Sequence, residues 1–148
     1  MNTEHKYFTM PELVRSRTAE THKPKPIDNT PPAYLLPNLH RLMDYLDLIR
    51  EAYGEPIRVS SGYRCDDLNR AVGGASNSQH KQGLAADLVV PDLDRLLGVI
   101  RKLGGFDQLI DERPGGGSRW VHVSIAQEGG KPRGDILLYN GRGYKRIK

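Results

Sequence analysis

The sequence predicts an α+β domain, a small, mainly antiparallel sheet packed against a few helices. Three observations predict it. Two long segments carry apolar residues at three- and four-residue steps, several short ones read as strands, and the strands follow one another through turns without regular βαβ alternation. At 148 residues the chain can bury one core and is short for two. A single domain over 1–148 is therefore expected, with an N-terminal helix and a proline-rich wrap over 1–37 and the chemistry carried by 38–148.

The elements follow in order. "TMPELVRSRTAE" reads as one small helix with Thr9 as N-cap, Pro11 in the first turn and Glu12 three residues past the cap, the spacing of a capping box. "THKPKPIDNTPPAYLLP" holds five prolines and no period, so an extended surface connection without chemistry is expected. From Asn38, "NLHRLMDYLDLIREAYG" aligns Leu39, Leu42, Met43, Leu46 and Ile49 on one helical face and stops at Gly54. "PIRVSSGYR" alternates like a short strand, and "DDLNRAVGG" is a brief helix closed by glycines. "GLAADLVV" is a strand and "DLDRLLGVIRKLGG" a second amphipathic helix; "FDQLIDE" and "RWVHVSIA" are strands bracketing the turn "RPGGGS". "GDILLYNGRGYKRIK" adds an apolar strand and a basic tail.

Composition narrows the chemistry. The only cysteine, Cys65, leaves no internal disulfide and no cysteine-rich zinc site, so a metal would be held by histidines and carboxylates. The net charge of +4 favours anionic surfaces without naming one. "MNTEHKYFTM" lacks the apolar run of a signal peptide, and no stretch approaches the roughly 20 apolar residues of a membrane span. A monomer synthesised in the cytoplasm, with no membrane span, is expected.

Of five histidines, His5, His22 and His40 fall on the tail, the connection and the long helix. His122 sits in "WVHVS", where alternation sends Val121, Val123 and Ile125 one way and Trp120, His122 and Ser124 the other. His80 and Asp87 lie seven apart around Gly83 and Ala85. Taken alone these are a metal site or ordinary polar residues, since that spacing is no helical pair.

The stretch "SGYRCDDLNRAVGGASNSQHKQGLAADL" resembles the signature of the zinc D-alanyl-D-alanine carboxypeptidase and peptidoglycan L,D- and D,D-endopeptidase family, including its phage endolysins. Ser78, His80, Gly83, Ala85 and Asp87 fall at the family's spacing, and "FDQLIDE", "WVHVS" and "YFTMPELVRSRTA" are similar to blocks of a compact phage-type branch. The resemblance implies one Zn²⁺ per chain, with His80, Asp87 and His122 as ligands. It implies an Arg64 that stabilises the developing oxyanion, although an ion pair of Arg64 with Asp66 or Asp67 is the competing reading. Ser78 then shapes the loop or supports a ligand, and Gly83 and Ala85 permit a tight approach beside the metal.

One position departs from the family. Many relatives carry the catalytic carboxylate three residues before the third ligand, where this chain has Arg119. Asp107, Asp111 and Glu112 are the nearby acids. Glu112 matches the branch's acidic residue and is the expected base, which puts Gln108 and Ile110 on the site face and turns Asp107 and Asp111 away. Gln108 and Trp120 are expected substrate contacts. The implied function is zinc-dependent hydrolysis of peptidoglycan stem peptides, as a D,D-carboxypeptidase or an endolysin-like endopeptidase at the cell wall, reached by phage-mediated release or on a virion. The alternative is a weak or inactive zinc-stabilised wall-binding module. The basic end "GRGYKRIK" matches no nucleic-acid module, so no nucleic-acid partner is expected.

Overall fold

The computed structural model describes residues 2–147; Met1 and Lys148, the outermost positions of the expected domain, lie outside them. Helices α1 (Met10–Val14), α2 (Arg17–Thr21) and α3 (Leu36–Tyr53) come first, followed by β1 (Arg58–Ser61) and α4 (Asp66–Ala71). Then come a 3-10 turn (Gln79–Gln82), β2 (Ala85–Val89), α5 (Leu93–Leu103), β3 (Gln108–Gly115), β4 (Ser118–Ser124), β5 (Asp135–Tyr139) and β6 (Tyr144–Arg146).

The sheet has the order β1-β2-β4-β3-β5-β6. β3 and β5 run parallel and every other neighbouring pair is antiparallel. One face meets α3 and α5 in a single cluster that includes Leu39, Leu46, Leu88, Ile100, Val121 and Val123. The opposite face carries the alternate residues, among them Asp87, Ile110, Glu112 and His122, and opens into a groove.

The capping box forms as the sequence predicts: Thr9 and Glu12 each satisfy the other's backbone N–H. The expected single N-terminal helix is instead two. Val14 ends the first, Arg15 is extended, and the Ser16 side chain caps a second by accepting from Ala19 N–H. A second cap inside twelve residues outweighs an apolar stripe too short to hold one helix together. The long helix stops where Gly54 takes φ 82°, a left-handed turn that favours glycine.

Two further expectations change. The turn "RPGGGS" shrinks to Gly116 and Gly117, because β3 runs through Pro114 to Gly115 and β4 starts at Ser118. The basic tail supplies a strand, β6, which pairs with β5.

Candidate metal centre

Asp87 on β2 and His122 on β4 are directly paired across an antiparallel ladder, so both side chains emerge on the open face. His80 arrives from the 3-10 turn that leads into β2. Ser78 caps that turn, its hydroxyl accepting from His80 N–H at 3.2 Å. Gly83 closes it at φ 70°, and a Cβ there would press on Leu39 Cγ at 3.0 Å. Gly83 therefore answers to backbone conformation and to α3, not to the metal approach that the sequence suggested.

The three side chains converge. His80, Asp87 and His122 are all buried, and their ligand atoms lie within 4.8 Å of one another. His80 Nδ1 is 2.7 Å from the Gly62 carbonyl, which can only accept, so Nδ1 carries the proton. Nε2 then turns a lone pair toward Asp87 Oδ1 at 3.2 Å, and His122 Nδ1 faces the same oxygen at 3.0 Å. Acceptors aimed at one another in a buried site need a cation or a proton between them. Burial pushes the His80 imidazole down, against the pull of Asp87, which disfavours the proton. Burial also works to raise the Asp87 carboxyl, but His80 and His122 hold it well below the usual carboxylate range. Two imidazole nitrogens and one carboxylate oxygen fit a single ion of the zinc type with one position left open, whereas calcium asks for six or more oxygens.

Gly62 anchors this centre twice: its carbonyl fixes His80, and a Cβ on it would collide with the Leu13 carbonyl oxygen of α1. Gly62→Ala is expected to cost about 1–3 kcal/mol of stability and about tenfold or more in metal affinity, because the backbone must retreat from α1 and take the His80 partner with it. Thermal melting and metal titration check the two halves.

Arg64 sits between β1 and the metal ligands, largely buried. Its Nε donates to Ser61 Oγ at 3.0 Å, Nη1 to Asn69 Oδ1 at 3.3 Å and Nη2 to Asp87 Oδ2 at 3.3 Å. Asp66 pairs with Lys81 and Asp67 with Arg70, so neither takes Arg64. The proline-rich connection, expected to be idle, clamps this segment. Buried Asn29 donates to Val14 O at 2.8 Å and Tyr63 O at 2.9 Å, and accepts from Cys65 N–H at 2.8 Å. A single Asn in an aperiodic stretch gives no sequence signal for that role.

The β3–β4 register pairs Ile110 with His122 and Glu112 with Trp120. Gln108, Ile110, Glu112 and Trp120 therefore line one groove of about 550 Å³ with the three ligands, Ser78 and Arg64. Burial pushes the Glu112 carboxyl above its ordinary value; His122 and Arg64 pull it back and Asp87 adds to the rise. Asp107 and Asp111 do not line the groove. Asp107 accepts from Arg133 and Gln79, and Asp111 from Arg113 and Arg119. Arg119, three residues before His122, is tied to Asp111 and Asp94. The far wall was not foreseen: Leu137, Tyr139 and Tyr144 come from β5 and β6, with the two tyrosine rings 4.7 Å apart.

Asp111 gives a pH test of the register. Burial works to raise its carboxyl, but the bonds from Arg119 and Arg113 hold it below the ordinary value. A depressed folded-state pKa contributes stability that is present above the unfolded value near 3.8 and is lost as pH falls through the folded one. Asp111→Asn is therefore expected to lower stability by about 1–3 kcal/mol at neutral pH. The gap from wild type should begin to narrow below about pH 4 and close as pH falls through the lower folded-state value, read by denaturant titrations.

Comparison with known proteins extends this geometry. A zinc D-Ala-D-Ala carboxypeptidase of Streptomyces albus G is 52% identical over 44 residues, a segment spanning 29% of this chain and only 17% of that protein. The family model described as peptidase M15 matches residues 6–124. That span includes α1 to α5, β1 to β4 and all three converging ligands, and stops short of β5 and β6. A match of this extent covers the scaffold as well as the motif, and the chain belongs to the peptidase M15 family.

Proposed function

We propose that this protein is a zinc peptidase that hydrolyses peptide bonds in the stem peptides of peptidoglycan, as a D,D-carboxypeptidase or an endopeptidase. The observation that carries the reading is one groove in which a buried His-Asp-His cluster, a positioned guanidinium and a carboxylate of raised pKa meet. The name of the Streptomyces relative and the "SGYR" to "AADL" signature support the substrate class.

His80 Nε2, an Asp87 oxygen and His122 Nδ1 would hold the ion. When bound, zinc supplies a Lewis acid that polarises a carbonyl and acidifies water. Arg64, braced by Ser61 and Asn69, presents fixed positive charge to the carbonyl oxygen as negative charge grows on it. Glu112 takes a proton from the attacking water and returns it to the leaving amine, a role suited to a carboxyl that burial makes more basic than usual. Gln108 and Trp120 orient the peptide, and Ser78 holds the turn that delivers His80.

A wall-binding module without turnover rested on Arg119 replacing the family carboxylate. Its commitment to Asp111 and Asp94, with Glu112 on the groove, favours the enzyme. An endolysin-like role at the wall, after phage-mediated release or on a virion, belongs to the same proposal. The test is incubation of the zinc-loaded protein with purified peptidoglycan and mass analysis of the soluble products, beside a chelated control. Zinc-dependent release of D-alanine names a carboxypeptidase, and larger fragments with new termini name an endopeptidase. Undigested wall with protein bound to it would overturn the reading.

A further inference from the structure

The groove does not end at the metal centre. On the β1 side it continues into a second arm of about 660 Å³, between the start of α2, β1 and the tip of the β3–β4 hairpin. The two arms share Arg64, Asp87, Val72 and Trp120 in their walls, so a ligand seated at the metal centre lies beside both.

The arms differ in charge. Four guanidiniums, from Arg17, Arg58, Arg64 and Arg119, line the β1-side arm against one carboxylate, Asp87. Arg64 pairs with Asp87, and Arg119 with Asp111 and Asp94. Among the described residues Arg17 and Arg58 lie within ion-pair distance of no carboxylate, and both are exposed. Ser16, Ser60 and Ser118 line the same arm. The other arm holds Glu112 and the tyrosine pair, and its Arg133 is taken by Asp107. An anionic group on a ligand crossing the centre is therefore drawn to one side only.

We infer that the β1-side arm is a subsite for a free carboxylate of the substrate peptide, held by Arg17 and Arg58, and that it fixes the direction in which the peptide lies across the metal centre. The inference rests on the peptidase reading. A planar guanidinium pairs both carboxylate oxygens at once, which suits this anion. Both arginines are open to solvent, so the attraction is modest and weakens with salt.

The carboxylate can be the peptide's C-terminus or one borne on a side chain, and the experiment separates them. Three synthetic stem peptides are compared: unmodified, amidated at the C-terminus, and amidated at the side chain. The chain's one tryptophan stands where the arms meet, so its fluorescence after rapid mixing reads binding to the zinc-loaded protein before turnover. The unmodified peptide is expected to bind about tenfold more tightly than one amidated form, as for a charge-assisted contact, and the form that loses affinity names the carboxylate. An Arg17→Ala/Arg58→Ala variant should lose the preference, an Arg17→Lys/Arg58→Lys variant should keep part of it, and added salt should shrink it. Equal binding of all three peptides, or a preference retained by the alanine variant, overturns the subsite. Product masses from the same mixtures report on the peptidase reading separately. Preference without cleavage removes the peptidase reading and supports a carboxylate subsite, whereas cleavage without preference does the reverse.

Discussion

Glu112→Gln is expected to retain one zinc per chain and to lose about 10²-fold or more in kcat, the scale of a lost general base. Glutamine keeps the shape of the side chain and its place opposite Trp120, but its amide cannot take up the proton of the attacking water. Zinc survives because Glu112 is no part of the converging His80–Asp87–His122 set. The neighbouring acids provide the contrast. Asp107→Asn and Asp111→Asn should leave kcat within a few-fold of wild type, since neither carboxylate lines the groove and both are taken up by arginines, Asp107 by Arg133 and Asp111 by Arg113 and Arg119. Metal analysis beside steady-state kinetics reads all three. A Glu112→Gln protein of near wild-type rate, beside an inactive Asp107→Asn or Asp111→Asn, would move the base to the other face of β3.

Arg64→Lys is expected to lower kcat by about 10²–10³, the range seen when one oxyanion donor is removed. The melting temperature should move by only a few degrees. The guanidinium uses three nitrogens at once, on Ser61, Asn69 and Asp87, and that bracing directs its charge. An ammonium on a flexible stem keeps the charge and loses the direction. Near wild-type turnover in the lysine variant would reduce Arg64 to a partner of Asp87.

The parts of this molecule that rest on local chemistry are readable from the chain. The capping box at Thr9 and Glu12, the apolar face of α3, its stop at Gly54 and the alternation around His122 each depend on residues within a turn or two of one another. The parts that rest on distant pairing are not. Alternation assigns each residue of β3 a face but leaves open which strand lies alongside, so the parallel β3–β5 ladder and the wall of Tyr139 and Tyr144 stay hidden. β6 reads as a basic tail because "YKRIK" carries no buried stripe; it forms against β5, whose inward residue Ile136 belongs to the core. Asn29 and Asn69 are polar residues in irregular or short segments, and only the fold reveals that Asn29 clamps the backbone on either side of Arg64 while Asn69 accepts from its guanidinium. For the metal ligands, the local spacing of His80 and Asp87 is ambiguous, and family resemblance supplied the third partner that the β2–β4 pairing places beside them.

Zinc content per chain tests the centre on which the whole account stands. Purified wild type should carry one zinc, and a folded His80→Ala/His122→Ala variant should carry none, because the loss of two ligands from a three-residue set abolishes tight binding. Stoichiometric zinc in that double variant would contradict the assignment of His80, Asp87 and His122 as the metal site.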